Sequence, residues 1–190
     1  MILRQFLSCC VALWLSLSAF DPAAAASRTH VYLMRGIFNV SVGLDALARE
    51  LDRRGLASSV YSHTDSATVA AEAIRDYRGG KVRTIILIGH SLGGGGVFAV
   101  ADALNQAHVP VALVISLESS SSGPVPANVR RAVNFYISGS GAVVTAGAGF
   151  HGSLQNIDVS HVPGMDHMTI QSMPMMHGRM IGYVSGARGG

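Results

Sequence analysis

The stretch TIILIGHSLGGGGVFAV, Thr84 to Val100, constrains the fold more than any other part of the chain. Its first half is an unbroken run of β-branched and aliphatic residues. No polar residue alternates with them, so both faces of such a strand must be covered. Strands buried on both faces belong to parallel sheets sandwiched between helices. The run then ends in Gly89, His90 and Ser91, passes through four consecutive glycines, and re-enters an apolar segment. That is the sequence of a strand, a sharp turn and a helix. The expected helix starts near Gly94, with Val97 to Asn105 as its body.

A parallel sheet requires long crossover connections, and the rest of the chain supplies them. THVYLM at 29–34 reads as a buried strand. VGLDALARELDRRG follows, with Val42, Leu44, Leu47, Ala48 and Leu51 at helical spacing and a stop at Arg53, Arg54 and Gly55. ASSVYS forms a short strand, and Ser66 to Tyr77 a helix with Asp65 or Ser66 as its cap. Beyond the glycines, VPVALVISLE, AVNFYIS and NIDVSHV read as strands, and a last helix falls within Met175 to Val184. The expected class is α/β: a mostly parallel sheet of about six strands with helices on both faces and no lid domain.

The segment MILRQFLSCCVALWLSLSAFDPAAAAS has the plan of a signal peptide. Arg4 supplies its charge, Phe6 to Phe20 its apolar core, and Ala24 to Ala26 its small residues. Residues 1–26 are therefore read as a cleaved leader, and residues 27–190 as a single domain, secreted or periplasmic. The apolar run is shorter than the roughly 20 residues of a spanning helix. Both cysteines, Cys9 and Cys10, lie in the leader. The mature domain then contains no disulfide and depends on its core, and the chain, 49% hydrophobic over its 190 residues, is long enough to build one. A net charge of +3 with scattered basic residues is no nucleic-acid footprint.

The strand-turn-helix setting gives Ser91 a meaning. In G-x-S-x-G, a sharp turn exposes the hydroxyl, and small residues at Gly89 and Gly93 let strand and helix approach closely. The helix behind the serine points its free amides at any anion formed there. No Lys-Ser/Thr follows the glycines, which excludes a phosphate loop.

On GHSLGG, supported by VYLMRGIFN and VPGMDHM, the chain resembles the α/β-hydrolase family, in particular its small lidless lipases and esterases. The resemblance implies a nucleophile at Ser91 and oxyanion donors at the backbone N–H groups of Leu92 and Ile37. Where family members often carry His-Gly-x, this chain has Arg35-Gly36-Ile37. Arg35 is left with three roles: pairing with a carboxylate, facing the substrate, or bracing the loop.

A serine needs a base, and the family's chain order of serine, acid and histidine sets aside His30, His63 and His90. His167, in VPGMDHMT after the last strand, fits best. His108 and His161 are assigned structural places in a helix-to-strand connection and a strand, with His151 and His177 in reserve. The expected acid is Glu118 at the end of its strand. The family's other acid position reads YISGSGAVV, which holds no carboxylate. Asp158 sits in a strand, Asp166 is too close to His167 along the backbone, and Asp45 and Asp52 form the polar face of the first helix. The six methionines between Met165 and Met180 are read as core filling or an apolar groove wall rather than soft metal ligands.

These readings imply a serine hydrolase cleaving a small-molecule or lipid carboxylic ester through an acyl-enzyme, with no metal or cofactor. A thioesterase of the same fold and a non-catalytic binding module on it are the alternatives.

Overall fold

The computed structural model describes residues 28–121 and 123–188. The leader expected at 1–26 lies outside the described residues. Six strands form one sheet: β1 (Thr29–Met34), β2 (Ala57–Tyr61), β3 (Thr84–His90), β4 (Leu113–Leu117), β5 (Arg131–Tyr136) and β6 (Ser153–Asp158). Their spatial order is β2-β1-β3-β4-β5-β6, and every neighbouring pair is parallel. Four helices accompany them: α1 (Gly43–Asp52), α2 (Ser66–Arg78), α3 (Leu92–Gln106) and α4 (Pro174–Ala187).

Handedness decides which face each helix covers. From β1 the chain steps one way to β2, then reverses across β1 to β3 and continues to β4. Right-handed crossovers in opposite directions place their helices on opposite faces. Accordingly α1 packs with one face and α2 and α3 with the other, while α4 joins α1. The apolar run of β3 serves both layers. Ile86 and Ile88 face α1 and α4, Ile85 and Leu87 face α2 and α3, and all four are fully buried. Each contributes about 1.5–3 kcal/mol on burial, so the centre of the sheet is its most strongly held part.

Several element boundaries differ from the sequence reading. The helix after Ser91 begins at Leu92, not near Gly94, and Leu92 with the four glycines forms about its first turn and a half. They are helical because the helix lies too close to the sheet for side chains. A Cβ at Gly93 would collide with the carbonyl oxygens of Met34 and Arg35, and one at Gly94 would lie 2.9 Å from the Ser119 Cβ. Val42, counted as part of the apolar stripe of α1, precedes that helix and is exposed. Asp65 does not cap α2; it closes a capping box with Ser62 around the 3₁₀ turn His63–Asp65. Strand β6 ends at Asp158, so His161 lies in the turn beyond it. No helix among the described residues is long and apolar enough to cross a membrane.

Candidate active site

The reversal of strand order between β1 and β3 opens a crevice at the carboxyl ends of the strands, where open α/β sheets bind their ligands. Ser91 follows β3 at this point, and residues 36–42 follow β1 beside it. Ser91 has φ 56° and ψ −122°, a conformation an L-residue adopts only under constraint. The constraint is visible on both sides. Its N–H donates to the Leu117 carbonyl at 3.0 Å, and its own carbonyl accepts from Gly94 at 2.9 Å as α3 begins. Gly89 must lack a side chain, because a Cβ there would strike the Gly93 backbone. The elbow depends on both glycines named in the motif.

His167 approaches from the loop between β6 and α4. Its Nε2 lies 3.0 Å from Ser91 Oγ, and its side chain is 42% exposed, so the crevice is open to solvent at the base. Glu118, one residue past β4, is fully buried at its side chain and has φ 44°. Its Oε2 stands 3.6 Å from His167 Nδ1, an ion-pair separation longer than a hydrogen bond. Two donors fix the carboxylate: Ile137 N–H to Oε1 at 3.1 Å and Ser140 O–H to Oε2 at 2.8 Å. Gly141 completes the cradle, since a Cβ there would occupy the position of Oε1. The SGSG turn, which holds no carboxylate of its own, thus holds the carboxylate of Glu118.

The other carboxylates are committed elsewhere. Asp158 accepts from Ser138 O–H at 2.5 Å and from Ser160 N–H at 2.9 Å, and these bonds hold its carboxyl down at about 2. Asp166 accepts from the N–H groups of Met168 and Thr169 at 2.8 and 2.7 Å. Asp52 accepts from Ser58. Asp45 is not merely a polar-face residue of α1: it pairs with Arg35, whose Nε lies 3.0 Å from Oδ2. Hydrogen bonding to Arg35 draws the Asp45 carboxyl below its ordinary value. Of the three roles open to Arg35, the structure shows pairing with a carboxylate.

The donors expected at Ile37 and Leu92 open the 3₁₀ turn Ile37–Asn39 and helix α3. A Cβ on Gly36 would lie 3.0 Å from the Ser91 Cβ, which brings the loop directly against the elbow. Neither N–H has an acceptor among the described residues. Phe38 and Asn39 in this loop have φ 52° and 58°. Among the described residues, four of the five non-glycine residues with positive φ, Phe38, Asn39, Ser91 and Glu118, therefore lie in the loops and strand ends that carry this site, the clustering expected of a functional site.

Sequence reasoning missed four supporting residues: Ser41, His90, Ser140 and Gly141. His90 was set aside by chain order, yet its ring lies 4.9 Å from that of His167. His177 and His108 have places of their own. His177 Nδ1 pairs with Glu50 at 3.0 Å, and His108 occupies the turn after α3. Of the clustered methionines, Met176 and Met180 are buried in the core, whereas Met168 and Met175 are exposed.

No protein-family model matches the chain, and no curated protein matches it in sequence. Solved structures do match. An acetylxylan esterase is 14% identical over 86% of this chain and 100% of its own, with a TM-score of 0.52. RedJ, a thioesterase from the prodiginine biosynthetic pathway of Streptomyces coelicolor, is 12% identical over 92% of this chain and 98% of its own, with a TM-score of 0.55. YbtT, a type II thioesterase from the yersiniabactin pathway, is 9% identical over 84% of this chain and 94% of its own, at 0.51. At such identities the likeness is one of fold: the chain has the α/β-hydrolase fold.

Proposed function

We propose that the protein is a serine hydrolase that cleaves carboxylic esters. The observation that carries this reading is the 3.0 Å approach of His167 Nε2 to Ser91 Oγ, with Ser91 on a strained turn. In this reading Nε2 takes the hydroxyl proton as Oγ bonds to the ester carbonyl carbon. The resulting oxyanion is held by the N–H groups of Ile37 and Leu92. The carbon–oxygen bond to the alcohol then breaks as His167 returns the proton to the departing oxygen. Water repeats both steps on the acyl-enzyme and frees the acid. Glu118 faces Nδ1–H throughout and stabilises the imidazolium.

Apolar side chains at the mouth favour an ester with a hydrophobic acyl group, including lipid esters. Phe38 is 84% exposed and Val42 67%, and Met168 flanks the base. Residues 1–26 are proposed to direct export, leaving residues 27–190 as the hydrolase domain outside the cytoplasm.

The test joins fluorophosphonate labelling to turnover of nitrophenyl esters from acetyl to palmitoyl, with matched thioesters. Wild type should label at Ser91, and Ser91→Ala should neither label nor turn over at more than about 10⁻⁶ of the wild-type rate. Retained turnover in Ser91→Ala rejects the reading. Absence of labelling and turnover in wild type favours the binding module, and a preference for thioesters the thioesterase.

A further inference from the structure

The chemistry proposed above leaves His90 without a task, although its bonds reach both loops beside Ser91. It ends β3 next to Ser91, is 1% exposed, and uses both ring nitrogens. Nδ1 lies 2.7 Å from Ser41 Oγ, and Nε2 lies 2.7 Å from the carbonyl oxygen of His167. Ser41 Oγ is in turn 2.8 Å from the backbone N of Gly36.

The direction of each bond follows from what the end groups can do. The His167 carbonyl only accepts, so Nε2 must carry a proton. The Gly36 N–H only donates, so Ser41 Oγ accepts from it and has its own hydrogen left for Nδ1. The neutral imidazole satisfies all three contacts. A cation would place a second donor against Ser41 and leave the serine's hydrogen without an acceptor. Burial agrees, holding the ring down at about 4; the facing groups are His167, whose charge opposes protonation, and Glu118, whose charge favours it.

The bonded chain therefore runs from Gly36 through Ser41 and His90 to the backbone of His167. One end precedes the Ile37 N–H, and the other is the residue whose ring approaches Ser91. We propose that His90 is a positioning residue, whose Nε2–H tautomer ties the His167 loop to the loop after β1 and so sets the spacing of base and oxyanion donor around Ser91. This rests on the hydrolase reading, but it assigns a function to a residue that never meets the reacting atoms.

Two substitutions separate the bond from the space it fills. His90→Phe keeps a ring and makes neither bond. His90→Gln carries an amide that reaches the Nε2 position and donates to the His167 carbonyl. With KM within about twofold, kcat should fall about 10²-fold in His90→Phe, the scale of a misplaced catalytic group. His90→Gln should recover at least about tenfold of that loss. Ser41→Ala combined with His90→Phe should be no slower than the slower single variant, because both interrupt one chain. A folded His90→Phe with near-normal kcat, or a His90→Gln no better than it, overturns the proposal. Should His90→Phe fail to fold, ¹⁵N-histidine NMR of the wild type at pH 7 decides. His90 protonated only on Nε2 supports the assignment, and protonation on Nδ1 or on both overturns it. Failure of wild type to label at Ser91 counts against the hydrolase reading instead, since the tautomer is read without turnover.

Discussion

Ser91 and Glu118 are both held at positive φ, which costs about 1–3 kcal/mol at each residue. The neighbouring structure must overcome that cost, and at Glu118 it does so with Ile137, Ser140 and Gly141. Glu118→Gln preserves the shape of the side chain but removes the charge facing His167. Turnover should fall by about 10⁴-fold, as when the acid of a triad becomes its amide. Asp158→Asn and Asp166→Asn, whose carboxylates satisfy local turns, should remain near wild type; ester kinetics on all three at matched thermal stability decide the assignment. A second expectation concerns pH. His90 is neutral and buried, with a value of about 4 against an ordinary 6.5. Between these values the unfolded chain binds the proton more readily than the folded one, so stability is lost as pH falls. The full span is worth about 3 kcal/mol. Chemical denaturation from pH 6.5 to 5, above the carboxylate range, should show the loss in wild type and less of it in His90→Phe. His30, also lowered mainly by burial, supplies a background slope of the same sign to both. Ser91, His167 and Glu118, which the structure brings together, were candidates from the elbow spacing and from the chain order of the family that the sequence resembles. Ser41, His90 and Ser140 were not, because a hydrogen bond across 49 or 22 residues leaves no local pattern.

At the scale of elements, helix α3 shows why the start of a helix can be hidden by its own sequence. Glycine is a poor helix former, about 1 kcal/mol worse than alanine, and four in succession obscure where the helix begins. Tertiary packing overrides that preference here. Gly93 and Gly94 give α3 its close contact with β1 and with the end of β4, and this contact places the Leu92 N–H beside Ser91. Helix α4 offers the contrast. A Cβ at Gly178 or Gly182 would meet nothing within 4 Å. Gly178→Ala and Gly182→Ala should therefore raise stability by about 0.5–1 kcal/mol each, the helix-propensity difference alone. Gly93→Ala carries the same intrinsic gain but drives a methyl into two backbone carbonyls. It should destabilise by about 1–3 kcal/mol and suppress fluorophosphonate labelling. Thermal melts of the three variants measure the difference. If Gly93→Ala were stabilised like the others, the close approach of α3 to β1 would not be a packing requirement.

The molecule as a whole draws its crevice from topology. The strand reversal lies in the order β2-β1-β3, which the sequence pattern does not carry; right-handed crossovers only fix which face each helix covers once that order is given. Nor did the sequence convey how the two loops meet over the crevice, since residues 36–42 and 165–173 lie far apart along the chain. They come together at two places: a Cβ at Gly43, just after the first loop, would run into Gln171, and His90 bonds to Ser41 of one loop and to the His167 carbonyl of the other. Both loops carry exposed apolar side chains, with Phe38 at 84% and Met168 at 51%. Among the described residues, no helix lies between β4 and β5 or between β5 and β6, where a cover would be inserted. An open site with an apolar rim makes two linked predictions. Turnover of a short soluble ester should rise smoothly through its solubility limit, because no element must move aside first. Phe38→Ser should leave acetyl ester turnover within about twofold while lowering kcat/KM for a long-chain ester by about tenfold, on the basis that one lost apolar contact is worth 1–2 kcal/mol. Parallel assays on nitrophenyl acetate and palmitate separate the effects. An abrupt increase at the solubility limit would mean that the loops close over Ser91 in water. Equal losses on both esters would mean that Phe38 supports the oxyanion loop rather than the substrate, because the damage would then follow the reacting carbonyl and not the length of the acyl chain.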